Sequence, residues 1–211
     1  MIQQLLYISQ APHVENIRLA CEAGCRFIQL RVKNESPEAW LRLAVEAKAV
    51  CDFYEAALFI NDNPGIALKV QAAGVHLGLN DLSVADARKI LGPRFIIGGT
   101  ANEAAHIRKH EAEGADYIGL GPFRFTTTKE KLSPVLGLDG YRRVLAEAAS
   151  PLPVLAIGGI LREDIDGLLN AGLHGIAVSG LITHAEDRKA LVTGILHQLK
   201  TFADGTVSYS R

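Results

Sequence analysis

The sequence has little of what marks several large protein classes. Aromatic residues make up only 6% of its 211 residues, so a core must rest on Leu, Ile, Val and Ala. That suits helices packed on a parallel sheet. Neither sign of charge is in surplus, the formal net charge being −1. No basic face is available to neutralise nucleic-acid phosphates, so any anion must be held by a few locally placed groups. Only three cysteines occur, Cys21, Cys25 and Cys51. Cys21 and Cys25 have no second pair to complete a zinc pattern, and buried thiols in a reducing compartment are the expectation. No stretch is long and apolar enough to span a membrane. The start, MIQQLLYISQ, lacks the basic end and apolar length of a signal peptide. A soluble, cytoplasmic protein is expected, without nucleic-acid or membrane partners.

What is present is alternation. Short apolar runs, read as strands, lie at Leu5–Ile8, Phe27–Arg31, Ala57–Asn61, Gly74–Leu77, Phe95–Gly98, Tyr117–Leu120, Val154–Ile157 and Gly175–Val178. Amphipathic runs, read as helices, follow at His13–Ala23, Pro37–Phe53, Pro64–Gln71, Ser83–Leu91, Asn102–Glu113, Leu138–Ala148, Arg162–Ala171 and Ala185–Phe202. Ser36 before Pro37 is a good N-cap with proline at the first helical position. Gly24, Gly74, Gly114 and Gly172 each stand where a helix gives way to a strand, a place that favours a left-handed residue. Eight strand–helix units imply parallel strands with crossover helices. An open doubly wound sheet would usually carry GxGxxG after its first strand. Here that stretch reads ISQAPHVEN, without glycine. The expectation is α/β, a (β/α)8 TIM barrel, one domain over residues 1–211, with the polar tail 203–211 frayed.

In such a barrel, polar residues just beyond the strands gather at one mouth. Gln29, Arg31 and Lys33 alternate, so they share a face, and two close cations call for an anion between them. Asp62 and Asp81 follow neighbouring strands at matching heights. Hard carboxylate oxygens beside amides suit Mg2+, which takes one or two carboxylates plus substrate phosphates. Either aspartate could instead be a helix cap, Asn102 likewise, and His76 could simply pack under the mouth. Thr100 supplies a hydroxyl beyond strand five. The longest connection follows strand six and carries Thr126, Thr127, Thr128 and Lys129, as a functional lid would. Gly158, Gly159, Ser179 and Gly180, after strands seven and eight, would let backbone N–H groups approach a phosphate. Two phosphorylated substrates, one a metal-bound diphosphate, would account for this layout.

The motifs IQLRVK, FIND, GVHLGLND, IIGGTAN, GADYIGLGP with TTTK, LAIGGI and GIAVSG stand in the order found in the thiamine-phosphate synthase family, which this chain resembles from Leu5 to about Leu199. The resemblance implies transfer of hydroxymethylpyrimidine from its diphosphate to hydroxyethylthiazole phosphate. It implies that Gln29, Arg31, Lys33, Asn61, Thr100 and Lys129 hold the diphosphate, with Arg31, Lys33 and Lys129 as the catalytic cations. Asp62 and Asp81 would ligate Mg2+, Thr126 and Thr128 would touch the thiazole substrate, and Gly159, Ser179 and Gly180 would bind its phosphate. Several residues depart from the family pattern. Leu79 replaces a usual glutamine, Thr100 a usual serine, and Arg124 and Phe125 are unusual. Ser179-Gly180-Leu181 is similar to related thiazole tautomerases, but those usually lack the Thr-x-Thr-Lys run. A tautomerase, or a regulatory barrel that only binds phosphate, is the alternative. Exposed barrel helices could also pair into a homo-oligomer.

Overall fold

A computed structural model describes residues 2–125 and 134–208, with side chains to 205. Eight parallel strands close into a barrel in sequence order. They are β1 (Leu5–Ile8), β2 (Phe27–Leu30), β3 (Ala57–Asn61), β4 (Gly74–Leu77), β5 (Ile96–Ala101), β6 (Tyr117–Leu120), β7 (Val154–Ile157) and β8 (Gly175–Val178). The helices are α1 (His13–Ala23), α2 (Pro37–Phe53), α3 (Pro64–Lys69), α4 (Val84–Leu91), α5 (Ala104–Ala112), α6 (Gly137–Ala148), α7 (Ile165–Asn170), α8 (Gly180–Thr183) and α9 (Arg188–Ser208). A 3-10 turn, Arg162–Asp164, opens α7. The last helix runs through Ser208, past the Phe202 end and into the tail where fraying is expected. No helix among the described residues is long and apolar enough to cross a membrane.

Local chemistry accounts for many of the boundaries. Ser36 caps α2 by accepting from the Ala39 N–H at 3.2 Å, with Pro37 behind it. Gly24, Gly114 and Gly172 take positive φ of 117°, 86° and 98° at helix ends. Gly74 does not share that role. It opens β4, where a Cβ would meet the Ile96 carbonyl oxygen at 1.9 Å, and Gln71 makes the left-handed turn instead. Strand β5 runs on to Ala101, beyond the expected end at Gly98, because its glycines make room for large neighbours. A Cβ on Gly98 would meet the Tyr117 ring at 2.2 Å, and one on Gly99 the His110 ring at 2.6 Å.

Apolar residues fill two separate spaces. One lies between sheet and helices. The other plugs the lower barrel with Leu6, Phe27, Phe59, Tyr117, Leu155 and Ala177. Phe27 and Phe59 meet edge to face at 4.5 Å, and Phe27 and Tyr117 at 5.6 Å. Side chains alternate along each strand, so the next inward layer comes from residues two further on. There β2 to β5 supply Gln29, Asn61, His76 and Thr100, all buried. Register sets them side by side, with Asn61 opposite His76 and His76 opposite Gly98.

Candidate active site

The mouth rests on this polar layer. His76 bridges it downward and sideways, its Nδ1 lying 3.0 Å from the Tyr117 hydroxyl and its Nε2 3.0 Å from the Thr100 hydroxyl. It is thus packed under the mouth, one of the roles considered for it. Burial pushes the Tyr117 phenol above its usual range, so it stays neutral. Gln29 differs from its neighbours: its Nε2 is buried yet has no hydrogen-bond partner. Such an orphan is costly unless a ligand meets it.

Above the polar layer, β3 and β4 raise two carboxylates. The helix-capping alternative fails for both, because Asn63 caps α3 and Ser83 caps α4. Asp62 stands before its cap in a left-handed conformation, φ 61°, with its N–H held by the His76 carbonyl at 2.8 Å. Strained backbone of this kind collects at functional sites. Asp81 is turned back by the Gly78 N–H, which donates to its Oδ2 at 2.6 Å. Gly78 has no side chain to obstruct it; a Cβ there would lie 2.8 Å from that oxygen. A hydrogen bond joins the two carboxyls, and Lys33 Nζ contacts Asp62 Oδ2.

These contacts separate the two acids. Burial and the neighbouring Asp62 push Asp81 up to about 6. Burial would also raise Asp62, but the hydrogen bond from Asp81 and the Lys33 ammonium outweigh it and hold Asp62 below its usual value. The two carboxyls titrate as a linked pair, with Asp81 the last to lose its proton. No third carboxylate, histidine or cysteine completes a cluster among the described residues. An all-oxygen set of two acids fits Mg2+ that draws its remaining ligands from water and substrate phosphate.

Arg31 lies just past β2, with its N–H on the Ser9 hydroxyl at 3.2 Å. That hydroxyl also meets His13 Nδ1 at 2.8 Å. Burial holds His13 below its ordinary pKa, and nearby Arg31 adds to the effect. Asn102 does not cap α5; Glu103 occupies that position, and the Asn102 amide donates to the Gly121 carbonyl.

The opposite side of the mouth has another character. Gly158 and Gly159 take φ of 92° and 67°, conformations that side chains rarely adopt. The Ser179 hydroxyl is turned away, donating to the Ile8 carbonyl at 2.7 Å and accepting from Gln10 Nε2 at 3.0 Å. The Ser179 carbonyl is taken by the Ile182 and Thr183 N–H groups at 3.1 and 3.0 Å, which leaves the N–H groups of Gly180 and Leu181 ahead of the first bonded turn of α8. Thr126, Thr128 and Lys129 lie outside the described residues. Sequence reasoning passed over Ser9, Gln10 and Tyr117. The first two sit just beyond β1, so the rule applied to the other strands could have found them. Tyr117 reads as an ordinary core aromatic, and nothing in sequence singles it out.

Known proteins resemble this chain in sequence and in fold. Residues 4–182 match the family model described as thiamine monophosphate synthase. A thiamine-phosphate synthase of Flavobacterium johnsoniae is 48% identical over 94% of this chain and 97% of its own length. One from Bacteroides fragilis is 50% identical over 83% of this chain and 87% of its own. Among solved structures, a thiamine phosphate pyrophosphorylase from Pyrococcus furiosus superposes with a TM-score of 0.84. It is 31% identical and covers 94% of this chain and 96% of its own. A closed eight-stranded parallel barrel, a family model matched over residues 4–182 and relatives matched over most of their length lead to one conclusion: the chain belongs to the thiamine monophosphate synthase family of transferases.

Proposed function

We propose that this chain, as a thiamine-phosphate synthase, transfers the hydroxymethylpyrimidine group from its diphosphate to the ring nitrogen of hydroxyethylthiazole phosphate. The observation that carries the residue assignment is the Lys33–Asp62–Asp81 cluster standing over the unpartnered amide of Gln29. It offers a cation and an oxygen-ligand pair in one place, as a metal-bound diphosphate requires.

Asp62 and Asp81 would hold Mg2+, and Asp81 would give up its proton on doing so. Bound there, Mg2+ would neutralise charge on the diphosphate. Gln29, Asn61 and Thr100 face the pyrimidine end from the polar layer. Arg31 and Lys33 hold the diphosphate, and Lys129 joins them by the family resemblance. The bond between the pyrimidine methylene carbon and the diphosphate oxygen breaks, and its electron pair leaves with pyrophosphate. Preplaced cations stabilise the charge that grows there. The thiazole nitrogen then supplies the pair for the new carbon–nitrogen bond. Thr126 and Thr128 would place the thiazole, with its phosphate on backbone N–H groups around Gly159, Ser179 and Gly180. The substrates are small water-soluble molecules, and the reaction would run in the cytoplasm.

The test is thiamine phosphate formation from both substrates, with Mg2+ and with chelator, for wild type and Asp62→Ala. Product that needs the metal and falls by about a hundredfold or more in the variant is expected. Metal-independent product, or full activity in the variant, would overturn the assignment.

A further inference from the structure

Arg124 follows β6, at the start of the long connection to α6, and its contacts are specific. Its Nη1 donates to the Gly159 carbonyl at 2.7 Å and to Asp164 Oδ2 at 2.7 Å, and its Nη2 donates to Asp164 Oδ1 at 3.0 Å. A planar guanidinium matched to a carboxylate in this way is held in one orientation. Asp164 is itself fixed, mostly buried at 11% exposure and accepting the Leu161 N–H at 2.7 Å. The Arg124 backbone N–H donates to the Gly158 carbonyl at 3.1 Å. One residue thus grips two successive carbonyls, one by its backbone and one by its side chain.

The consequence follows from peptide geometry. In a trans peptide, the carbonyl and the next N–H point to opposite edges of one plane. Holding the Gly158 carbonyl fixes the Gly159 N–H, and holding the Gly159 carbonyl fixes the Ile160 N–H. Both donors are set on the side away from Arg124. Two glycines at φ 92° and 67° have little intrinsic reason to keep that shape. Packing is tight as well, since a Cβ on Gly159 would lie 2.4 Å from Arg124 Cγ.

We propose that Arg124 and Asp164 form a clamp that positions the Gly158–Gly159 turn so that its consecutive N–H groups receive the phosphate of the thiazole substrate. Arg124 is here a positioning residue, and its charge is spent on Asp164. The inference rests on the proposed reading of this side of the mouth as the thiazole-phosphate site.

The experiment measures KM for each substrate and, separately, equilibrium binding of thiazole phosphate. The proteins are wild type, Arg124→Met, Arg124→Lys, Asp164→Asn and the Arg124→Met/Asp164→Asn double variant. Melting temperatures confirm folding, and Arg124→Lys stands in should the methionine variant not fold. The clamp predicts that Arg124→Met weakens thiazole-phosphate binding and raises its KM about tenfold, the factor that one charge-assisted hydrogen bond carries. Asp164→Asn moves the same way, the double variant is no worse than Arg124→Met, and the KM for the diphosphate stays put. Unchanged thiazole-phosphate binding in folded Arg124→Met would overturn the proposal. So would a large loss in Arg124→Met beside normal binding in Asp164→Asn, because Arg124 would then touch the phosphate itself. If wild type binds thiazole phosphate but forms no product, the functional reading falls, while the binding arm still judges the clamp.

Discussion

The floor of the barrel and its mouth are built by the same eight strands, yet their chemistry is opposite. The floor is a dry aromatic plug in which Phe27, Phe59 and Tyr117 meet edge to face. The layer above is polar, with Gln29 left unpartnered and Asp62 in strained backbone. The mouth is itself divided. The β2–β5 side holds charged side chains, whereas the β7–β8 side holds glycine turns and a helix start. Stability is placed below and chemistry above, and the two phosphates are expected to be held by different means. A side-chain hydrogen-bond chain, Tyr117–His76–Thr100, links the plug to the mouth.

The largest expected stability effect comes from disturbing the floor. Gly98→Ala would drive a methyl group into the Tyr117 ring. Overpacking of this kind costs about 1–3 kcal/mol. Thermal melting should fall clearly, and affinity for both substrates should weaken together, because the floor supports both sides. A normal melting temperature would mean that the plug is loose and the contrast between the layers overstated.

A smaller effect lies outside the barrel, where α5 packs behind β5. Burial holds His110 below its ordinary pKa, outweighing the Thr100 carbonyl at 2.9 Å that favours protonation. The sign follows from linkage: the unfolded chain takes up the proton near pH 6.5, before the folded protein does. Stability from this group is complete above that pH and falls as pH drops toward the lower folded value. The loss approaches about 1.4 kcal/mol per pH unit between the two values. Urea midpoints at pH 7.5 and 5.5 check it, with His110→Asn expected to lose less than wild type on acidification. Equal losses in the two proteins would remove His110 from the account.

Much of this was legible in sequence. Six strands, among them β1, β3 and β6, begin and end where hydrophobic runs meet turn residues. The period and the punctuation come from the same local chemistry. Strand β5 misled because paired glycines read as a strand end, when here they make room for Tyr117 and His110. That is a contact across the fold, invisible to a local pattern. Asp62 and Asp81 were legible as a pair, but not the Gly78 N–H that fixes the Asp81 carboxyl or the burial that raises its pKa. Arg124 stood out only as an oddity, because its partner Asp164 lies 40 residues away. Thr126, Thr128 and Lys129 fall outside the described residues and rest on the resemblance.

The most direct test of the divided mouth is a crossed calorimetric titration. Pyrimidine diphosphate with Mg2+, and thiazole phosphate alone, would each be titrated into wild type, Asp62→Ala and Gly159→Ala. The account predicts that Asp62→Ala loses the diphosphate and keeps the thiazole phosphate, and that Gly159→Ala does the reverse. Loss of both ligands in both folded variants, or loss of thiazole phosphate alone in Asp62→Ala, would contradict it.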